Sequence, residues 1–464
     1  MVFAKRRERK TTAALHDQAG IYEKTGKAAI EIGSNTFIRI AIKSVTIKAR
    51  QSMNILIIGA NFSNKGAEAM MLTVKQQLTL RHKQARFYML CRGYEATLAE
   101  ENGIVPVCNQ DGELKRKIKR FYKRASGKMH KFIFKEDKPF VFEFPFAVLK
   151  SKIPDIDMVV DVSGFAYADS WGEPMVMETI KLQRLYKREK TRFYFMPQAW
   201  GSFHKPRVAH AVKEMLANAN KFYARDLTSQ KYLSGVLDIP PKKIPLMHDI
   251  VFAYDTNGVN NNVLSSLGYK RRGDRLIGIS PNLRVYERTS GLEKDNVYFK
   301  MLLALANHCI QTLNADVIFI PNEVFPPNVQ AKDDRYLCRL LMKFVEVPER
   351  CFFADQYYSA AEVDAIIGSI DILISSRFHA LIFGFLHEKP VMAISWSHKY
   401  KELFSLFELE DFVMESNDME EDDAIRLLGT LVAEKESIEK KIKTSLPGLK
   451  IKAREMFDEI AFDR

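Results

Sequence analysis

The sequence predicts an α/β protein of two doubly wound, Rossmann-like domains facing a cleft. Three observations point there. From Met53 onward, short apolar runs alternate with helix-like segments. Each run ends in a small or polar cluster, and the runs read as continuously apolar. Apolar runs of about four to eight residues alternating with amphipathic helices are the pattern of βαβ units. Unbroken apolarity marks strands covered on both faces, as in a parallel sheet.

Taken in order, MNILIIGA leads into NFSNKGAE and the helical AMMLTVKQQLTL, and DMVVDV leads into SGFAYADSWGEP and VMETIKLQRLYKRE. RFYFM precedes PQAWGSFHKP and RVAHAVKEMLANA, and KFYAR precedes DLTSQKYLSGVL, with Asp226 placed to cap that helix. The second half repeats the arrangement: RLIGIS before PNLRVYERTSG, NADVIFI before PNEVFPPN, DILISS before RFHALIFGFLHE, and PVMAIS before WSHKYKELFSLF. The expected division is a basic extension over 1–52, a first domain over 53–255 and a linker over 256–274 rich in Asn, Gly and Ser. A second domain follows over 275–415, then a helical segment over 416–464 with apolar Ile425, Leu428, Leu431 and Val432.

Composition bounds the function classes. A chain of 464 residues exceeds one ordinary core. Hydrophobic residues at 47% and charged residues at 27% suit a soluble globular protein, and no apolar run is long enough to span a bilayer. Cys91, Cys108, Cys309, Cys338 and Cys351 show no C-x-x-C spacing. Their odd number speaks against a disulfide framework and for a reducing, cytoplasmic compartment, and no structural zinc site is expected. No H-E-x-x-H, EF-hand, Walker A or G-x-S-x-G pattern occurs, so neither a metal nor a serine nucleophile is expected. The formal charge of +13 is uneven: residues 1–52 hold eleven Lys/Arg against four Asp/Glu. That extension lacks the apolar core of a secretory signal; it reads as dispensable, with a transit peptide as the alternative. A second basic run, Glu113–Lys138, interleaves cations with Phe121, Tyr122, Phe132 and Phe134. It suits a solvated insertion, peripheral contact with an anionic membrane at its inner face, or nucleic acid.

Ligands of doubly wound sheets bind outside the strand C-termini, and the unusual polar residues of this chain cluster there. Arg377 and His379 follow DILISS, where free N–H groups and the helix dipole favour anions. Arginine contributes a planar fork for carboxylate or phosphate, and histidine a proton near neutral pH. Arg284 after RLIGIS, Asn322 and Glu323 after NADVIFI, and His398 and Lys399 after PVMAIS extend the set. Arg284 has the plainer reading of a surface arginine and Glu323 that of an ion pair, while the neighbouring Tyr400 and Lys401 read as solvated helix positions. In the first domain Asn61, Asn64 and Glu68 follow MNILIIGA, Asp169 follows DMVVDV, and Gln198 and Trp200 follow RFYFM. Acids, amides and aromatics at strand ends suit a polyhydroxyl compound. His387 falls at a helix C-terminus, where a cation suits the dipole without further function.

GANFSNKGAEAMM, the Ser163–Asp169 cluster, PQAWG, YARD with Ser229, ISPNLR, IPNE, SRFHALIF and WSHKYKEL together resemble the polysaccharide pyruvyl transferase family, in order over most of Met53–Leu403. The resemblance implies a glycosyltransferase-B-like fold and transfer of a pyruvyl group from phosphoenolpyruvate onto two hydroxyls of a sugar. The product is a cyclic ketal on a polysaccharide or lipid-linked glycan, and phosphate is released. Phosphoenolpyruvate is then a co-substrate, and no cofactor is implied. The family's Arg-x-His element falls on Arg377 and His379, with Phe378 where leucine is common, and its other donor arginine on Arg284. His379 and Arg377 are thus the expected catalytic residues. Arg284, Asn322, Glu323, His398 and Lys399 join them around the donor, and Asn61, Asn64, Glu68, Asp169, Gln198 and Trp200 surround the acceptor. Two alternatives stay open: a nucleotide-sugar glycosyltransferase on the same architecture, and a basic membrane or nucleic-acid adaptor without activity. Nucleic acid is not the expected partner.

Overall fold

The computed structural model describes residues 52–108, 146–153, 155–187, 190–256, 262–326, 329, 331–353, 355–397, 399–415 and 420–463. The extension up to residue 51, the basic run 113–138 and the candidate His398 lie outside the described residues.

Strands β1 (Asn54–Ile58), β2 (Arg86–Cys91), β3 (Val105–Cys108), β4 (Met158–Asp161), β5 (Arg192–Gln198) and β6 (Lys221–Ala224) form the first sheet. Its order is β3-β2-β1-β4-β5-β6, and every pairing is parallel. Strands β7 (Arg275–Ser280), β8 (Ala315–Phe319), β9 (Cys351–Phe352), β10 (Ile372–Ser375), β11 (Val391–Ser395) and β12 (Val413–Glu415) form the second, ordered β12-β11-β10-β7-β8-β9. Its pairings are parallel too. The two sheets repeat one winding. Each begins at its centre, winds outward on one side, then returns to wind outward on the other. The direction reverses between β1 and β4 and between β7 and β10, and loops at such a switch point diverge to leave a crevice.

Helices cover both faces, as the unbroken apolar strands require. In the first half these are α1 (Lys65–Arg81), α2 (Ala96–Glu101), α3 (Phe146–Lys152), α4 (Glu173–Leu185), α5 (Pro206–Ala217) and α6 (Leu227–Gly235). The second half has α7 (Val263–Ser266), α8 (Leu283–Arg288), α9 (Val297–Gln311), α10 (Asp334–Phe344), α11 (Ala360–Gly368), α12 (Phe378–Leu386) and α13 (Lys399–Ser405). Asp226 caps α6 by accepting from Ser229 N. α12, FHALIFGFL, is apolar almost all round because it packs on β10, β11 and α11 and also on α1 of the first half. Two terminal helices, α14 (Glu421–Ala433) and α15 (Lys435–Phe462), finish the chain. α14 lies on α9 and β11 through buried Leu428 and Leu431. α15 returns to the first half, where Arg81 Nε meets Asp458 at 2.8 Å and the Tyr194 hydroxyl donates to Asp463 at 2.7 Å.

The halves are sewn together directly beneath the crevice. Lys65 N donates to Asn322 O at 2.9 Å and Val324 N to Ser63 O at 2.7 Å, a short antiparallel bridge between the loops after β1 and β8. Beside it lies a fully buried ion pair, Lys65 Nζ to Glu68 Oε2 at 2.8 Å. Lys65 Nζ also donates to Phe62 O and sits 4.0 Å from the centre of the Tyr357 ring. The second Glu68 oxygen accepts from Ala360 N at the start of α11. Burial lowers the Lys65 ammonium pKa and raises that of the Glu68 carboxyl, and their attraction opposes both shifts.

Removing one member of a buried pair strands the other charge and costs about 3–5 kcal/mol, whereas replacing both by apolar groups is often near neutral. Lys65→Met is therefore expected to lower stability in urea by about that amount, and Lys65→Met with Glu68→Met to recover most of it. Equal losses in the single and double variants would contradict a coupled pair.

Candidate functional site

The crevice of the second half is organised by Asp334, the first residue of α10, which has no exposed surface. Its Oδ1 accepts from Leu283 N at 2.9 Å, just past β7. Its Oδ2 accepts from Asn322 N at 3.1 Å and Glu323 N at 2.7 Å, just past β8. Oδ1 also pairs with Arg377 Nη2, just past β10. One carboxylate thus gathers three strand ends. Burial alone would lower the Arg377 pKa, but Asp334 and Glu323 outweigh it and hold the guanidinium above its ordinary value.

Arg377 is the residue on which α12 begins, still in extended backbone, and only 8% of it is exposed. Its Nη2 also meets Glu323 Oε2 at 2.9 Å, and its Nε is buried with no partner. The other Glu323 oxygen lies 3.6 Å from Nη2 of Arg284, which stands about half-exposed on α8. Two arginines carried by the loops of β7 and β10, the strands flanking the switch point, therefore converge on one carboxylate.

His379 lies two residues further on, facing the first half. Its Nε2 is 3.5 Å from Asp249 Oδ2, too far for a tight hydrogen bond and ionic only when the imidazole is protonated. Asp249 is buried and accepts a 2.9 Å bond from Arg225 Nη1. Burial alone would raise the Asp249 pKa; His379 and Arg225 overcome it and hold the carboxyl well below the usual carboxylate range. The His379 ring rests on the start of α1, where a Cβ on Gly66 would fall 2.0 Å from Nδ1. Glycine there is a requirement of this approach.

The Phe378 ring lies under two basic groups, the Arg225 guanidinium at 4.8 Å and the Lys399 amine at 5.2 Å from its centre. Lys399 also lies 4.5 Å from the Trp396 ring centre. Burial, and next Arg225, pull the Lys399 pKa down to about 7. Arg225, Phe378 and Lys399 border a cavity of about 140 Å³ that also includes Asp226, His248, Asp249, Phe252 and Glu402. A wider recess of about 300 Å³ follows α10 past Arg335 and Arg339, whose charges are already paired with Asp333 and Asp355. Among the described residues no cluster of His, Cys, Asp or Glu could hold a metal ion.

Of the expected donor set, Arg377, Asn322 and Glu323 meet around Asp334, Arg284 reaches Glu323 and is paired with Glu287, and His379 and Lys399 flank Phe378. Asn322 is buried with its side-chain Nδ2 unpartnered. The expected acceptor set is corrected at several positions. Trp200 is 2% exposed, stacked on Tyr167 and donating to Tyr223 O, so it offers no face to a sugar. Glu68 is spent on Lys65 and Ala360. Asp169 accepts from Ser202 Oγ, His204 N and Lys205 N, closing the turn before α5. Asn64 caps α1 through Gly66 N and Ala67 N, and Asn61 accepts from Asn64 N, so both shape the loop facing Asn322 and Glu323. Gln198 is buried with both side-chain amide atoms unpartnered. Asp334, Asp249 and the role of Arg225 carry no signal in the sequence that marks them as part of a site. An acidic residue opening a helix reads as a cap, and Asp249 does accept from Val251 N in that manner.

Gly66→Ala favours a helix by about 1 kcal/mol in itself, yet it must displace the His379 ring. The His379 ring resonances are expected to shift with secondary structure intact; unchanged resonances would contradict the contact.

The chain matches the polysaccharide pyruvyl transferase family over residues 64–398. No curated protein matches it. Its fold is similar to that of a putative UDP-N-acetylglucosamine 2-epimerase from Listeria monocytogenes, at 10% identity and TM-score 0.55, covering 88% of this chain and 96% of that one. UDP-GlcNAc 2-epimerase from Neisseria meningitidis, solved with UDP-GlcNAc bound, gives 11% identity and TM-score 0.54 over 88% and 99% of the two chains. Anabaena HepE in complex with UDP gives 11% identity and TM-score 0.51 over 88% and 100%. These likenesses concern the fold, which is of the glycosyltransferase-B type. With the family match spanning most of both halves and the Arg-x-His element at the second switch point, the chain belongs to the polysaccharide pyruvyl transferase family.

Proposed function

We propose that the protein transfers a pyruvyl group from phosphoenolpyruvate onto two hydroxyls of one sugar in a polysaccharide or lipid-linked glycan, closing a cyclic ketal and releasing phosphate. The observation that carries this reading is the convergence of Arg284 and Arg377 on a single carboxylate. Glu323 stands between the two guanidiniums as the carboxylate of the donor would. Binding then requires Glu323 to turn outward, which its partial exposure permits. Phosphoenolpyruvate brings a carboxylate and a phosphate, and charge-assisted bonds from arginine suit both.

In this reading His379 gives a proton to the methylene carbon of the donor, and positive character develops at the adjacent carbon. One sugar hydroxyl adds there, and a second displaces phosphate. Of the two hydroxyl protons, one is returned to His379 to replace the proton now on the methyl group, and the other leaves with phosphate. Asp249 steadies the charged imidazole, while Arg225 keeps that buried carboxylate from being uncompensated. The cavity beneath Phe378, with Lys399, His248, Asp226 and Glu402, offers donors and acceptors for sugar hydroxyls. Holding both hydroxyls on one ring supplies much of the rate through proximity.

Phosphate release from phosphoenolpyruvate, measured against lipid-linked and polymeric acceptors containing galactose, mannose or glucuronate, tests the proposal. His379→Ala is expected to lower turnover by about 10²–10⁴-fold, the usual worth of a positioned acid. Asp249→Asn is expected to lower it less and to displace its pH profile. Normal turnover in His379→Ala would remove His379 from the chemistry.

Glu323→Gln separates two roles for that residue. As an internal occupant of the anion site, its neutralisation is expected to tighten phosphoenolpyruvate binding by about tenfold, ~1.4 kcal/mol. Unchanged affinity with lost turnover would make Glu323 a base instead. Tight binding of UDP without binding of phosphoenolpyruvate would favour a nucleotide-sugar reaction.

A further inference from the structure

Cys91 and Cys108 are the last residues of β2 and β3 and are direct partners in the parallel register. Their sulfurs lie 2.8 Å apart, within about 0.8 Å of the length of a disulfide bond. At the final rung of two strands the side chains can approach without disturbing a ladder on both sides. The two thiols differ in setting. Cys91 is buried, whereas Cys108 is half-buried, with Sγ also 3.8 Å from Arg92 O. The contact with Cys91 lowers the Cys108 pKa; burial opposes that shift, and the Lys152 ammonium adds to it. Lys152 is held in place by donating to Pro106 O at 3.0 Å. A partly exposed thiol whose pKa is lowered beside a cation, with a second thiol in contact, is the setting of an oxidisable pair. The other cysteines contrast with it: Cys309, Cys338 and Cys351 are buried, and burial pushes each thiol pKa up, that of Cys351 to about 12.

The pair is also wired to the crevice. Arg92, next to Cys91, donates its backbone N–H to Glu95 Oε2 at 3.0 Å. Glu95 Oε1 accepts from Phe62 N at 2.9 Å. Phe62 O in turn receives Lys65 Nζ at 2.6 Å and the Tyr357 hydroxyl at 3.0 Å. The loop so held is the one that delivers Gly66 to His379.

We propose that Cys91 and Cys108 form a peroxide-oxidisable pair that closes reversibly to a disulfide across the ends of β2 and β3. The Cys108 thiolate attacks one oxygen of hydrogen peroxide and becomes a sulfenic acid as the O–O bond breaks and, with a proton, water leaves. The Cys91 sulfur then attacks the Cys108 sulfur, the S–O bond breaks, and a second water departs. Two thiols are oxidised by two electrons, and one peroxide is reduced to two waters. Drawing the two sulfurs together moves Arg92 and the Glu95 turn, and with them the hold on Phe62.

The test uses the full chain treated with hydrogen peroxide, denatured, and titrated for free thiols, with non-reducing peptide mapping. Two of the five thiols are expected to be lost, with a peptide linking Cys91 to Cys108, and both thiols to return with dithiothreitol. Cys91→Ser and Cys108→Ser are each expected to abolish the linked peptide. No linked peptide in the wild type, or one through Cys309, Cys338 or Cys351, would overturn the assignment. A second arm rests on the proposed pyruvyl transfer: peroxide is expected to lower phosphate release reversibly in the wild type but not in Cys91→Ser. A disulfide that forms with activity unchanged would overturn the coupling to the crevice. Absence of activity in the reduced protein would fail the proposed function instead and leave the thiol result standing.

Discussion

Asp334 has no exposed surface, yet its two oxygens receive three backbone N–H groups and the Arg377 guanidinium. Those partners follow β7, β8 and β10, so this one buried carboxylate fixes how far apart the strand ends stand. A charge taken out of water is tolerated only when its lone pairs are satisfied. The arrangement therefore works in one geometry, and that geometry holds Arg377 at the mouth of the switch point. Everything in the proposed anion site depends on it: the converging Arg284, the intervening Glu323, and the start of α12 that carries His379.

The same economy of buried charge recurs across the junction of the halves. Lys65 and Glu68 neutralise each other against Tyr357, and Arg225 and Asp249 do so behind His379. Each pair combines strong mutual attraction with a specified position, and each lies within a few residues of a loop that frames the crevice. The proposed chemistry needs such fixed dipoles and charges, because stabilisation of a developing charge is most effective where groups need not reorganise. Glu323 and Arg284 are partly exposed, Arg284 being paired also with Glu287 at 2.8 Å, and in the proposed reading they are the groups that shift when the donor binds.

The architecture was legible because covered parallel strands leave unbroken apolar runs, and DILISS or VMAIS can be little else. The Arg377–His379 junction was legible because two charged side chains opened an otherwise apolar helix. Asp334 and Asp249 were not, since their partners are distant in sequence and their local settings imitate ordinary helix and turn caps. Trp200 and Glu68 misled for a related reason. A residue just past a strand end sits at the crevice by its backbone, but its side chain can turn back into the core, as Trp200 does toward Tyr223 O. Side-chain direction is decided by packing partners that a linear pattern does not name.

The most direct measurement is a crystal structure of the protein with phosphoenolpyruvate bound. The expected result is the donor carboxylate between Arg284 and Arg377, Glu323 turned out of that position, and His379 facing the methylene carbon. Glu323 still bridging the two arginines, with phosphoenolpyruvate seated elsewhere, would contradict it.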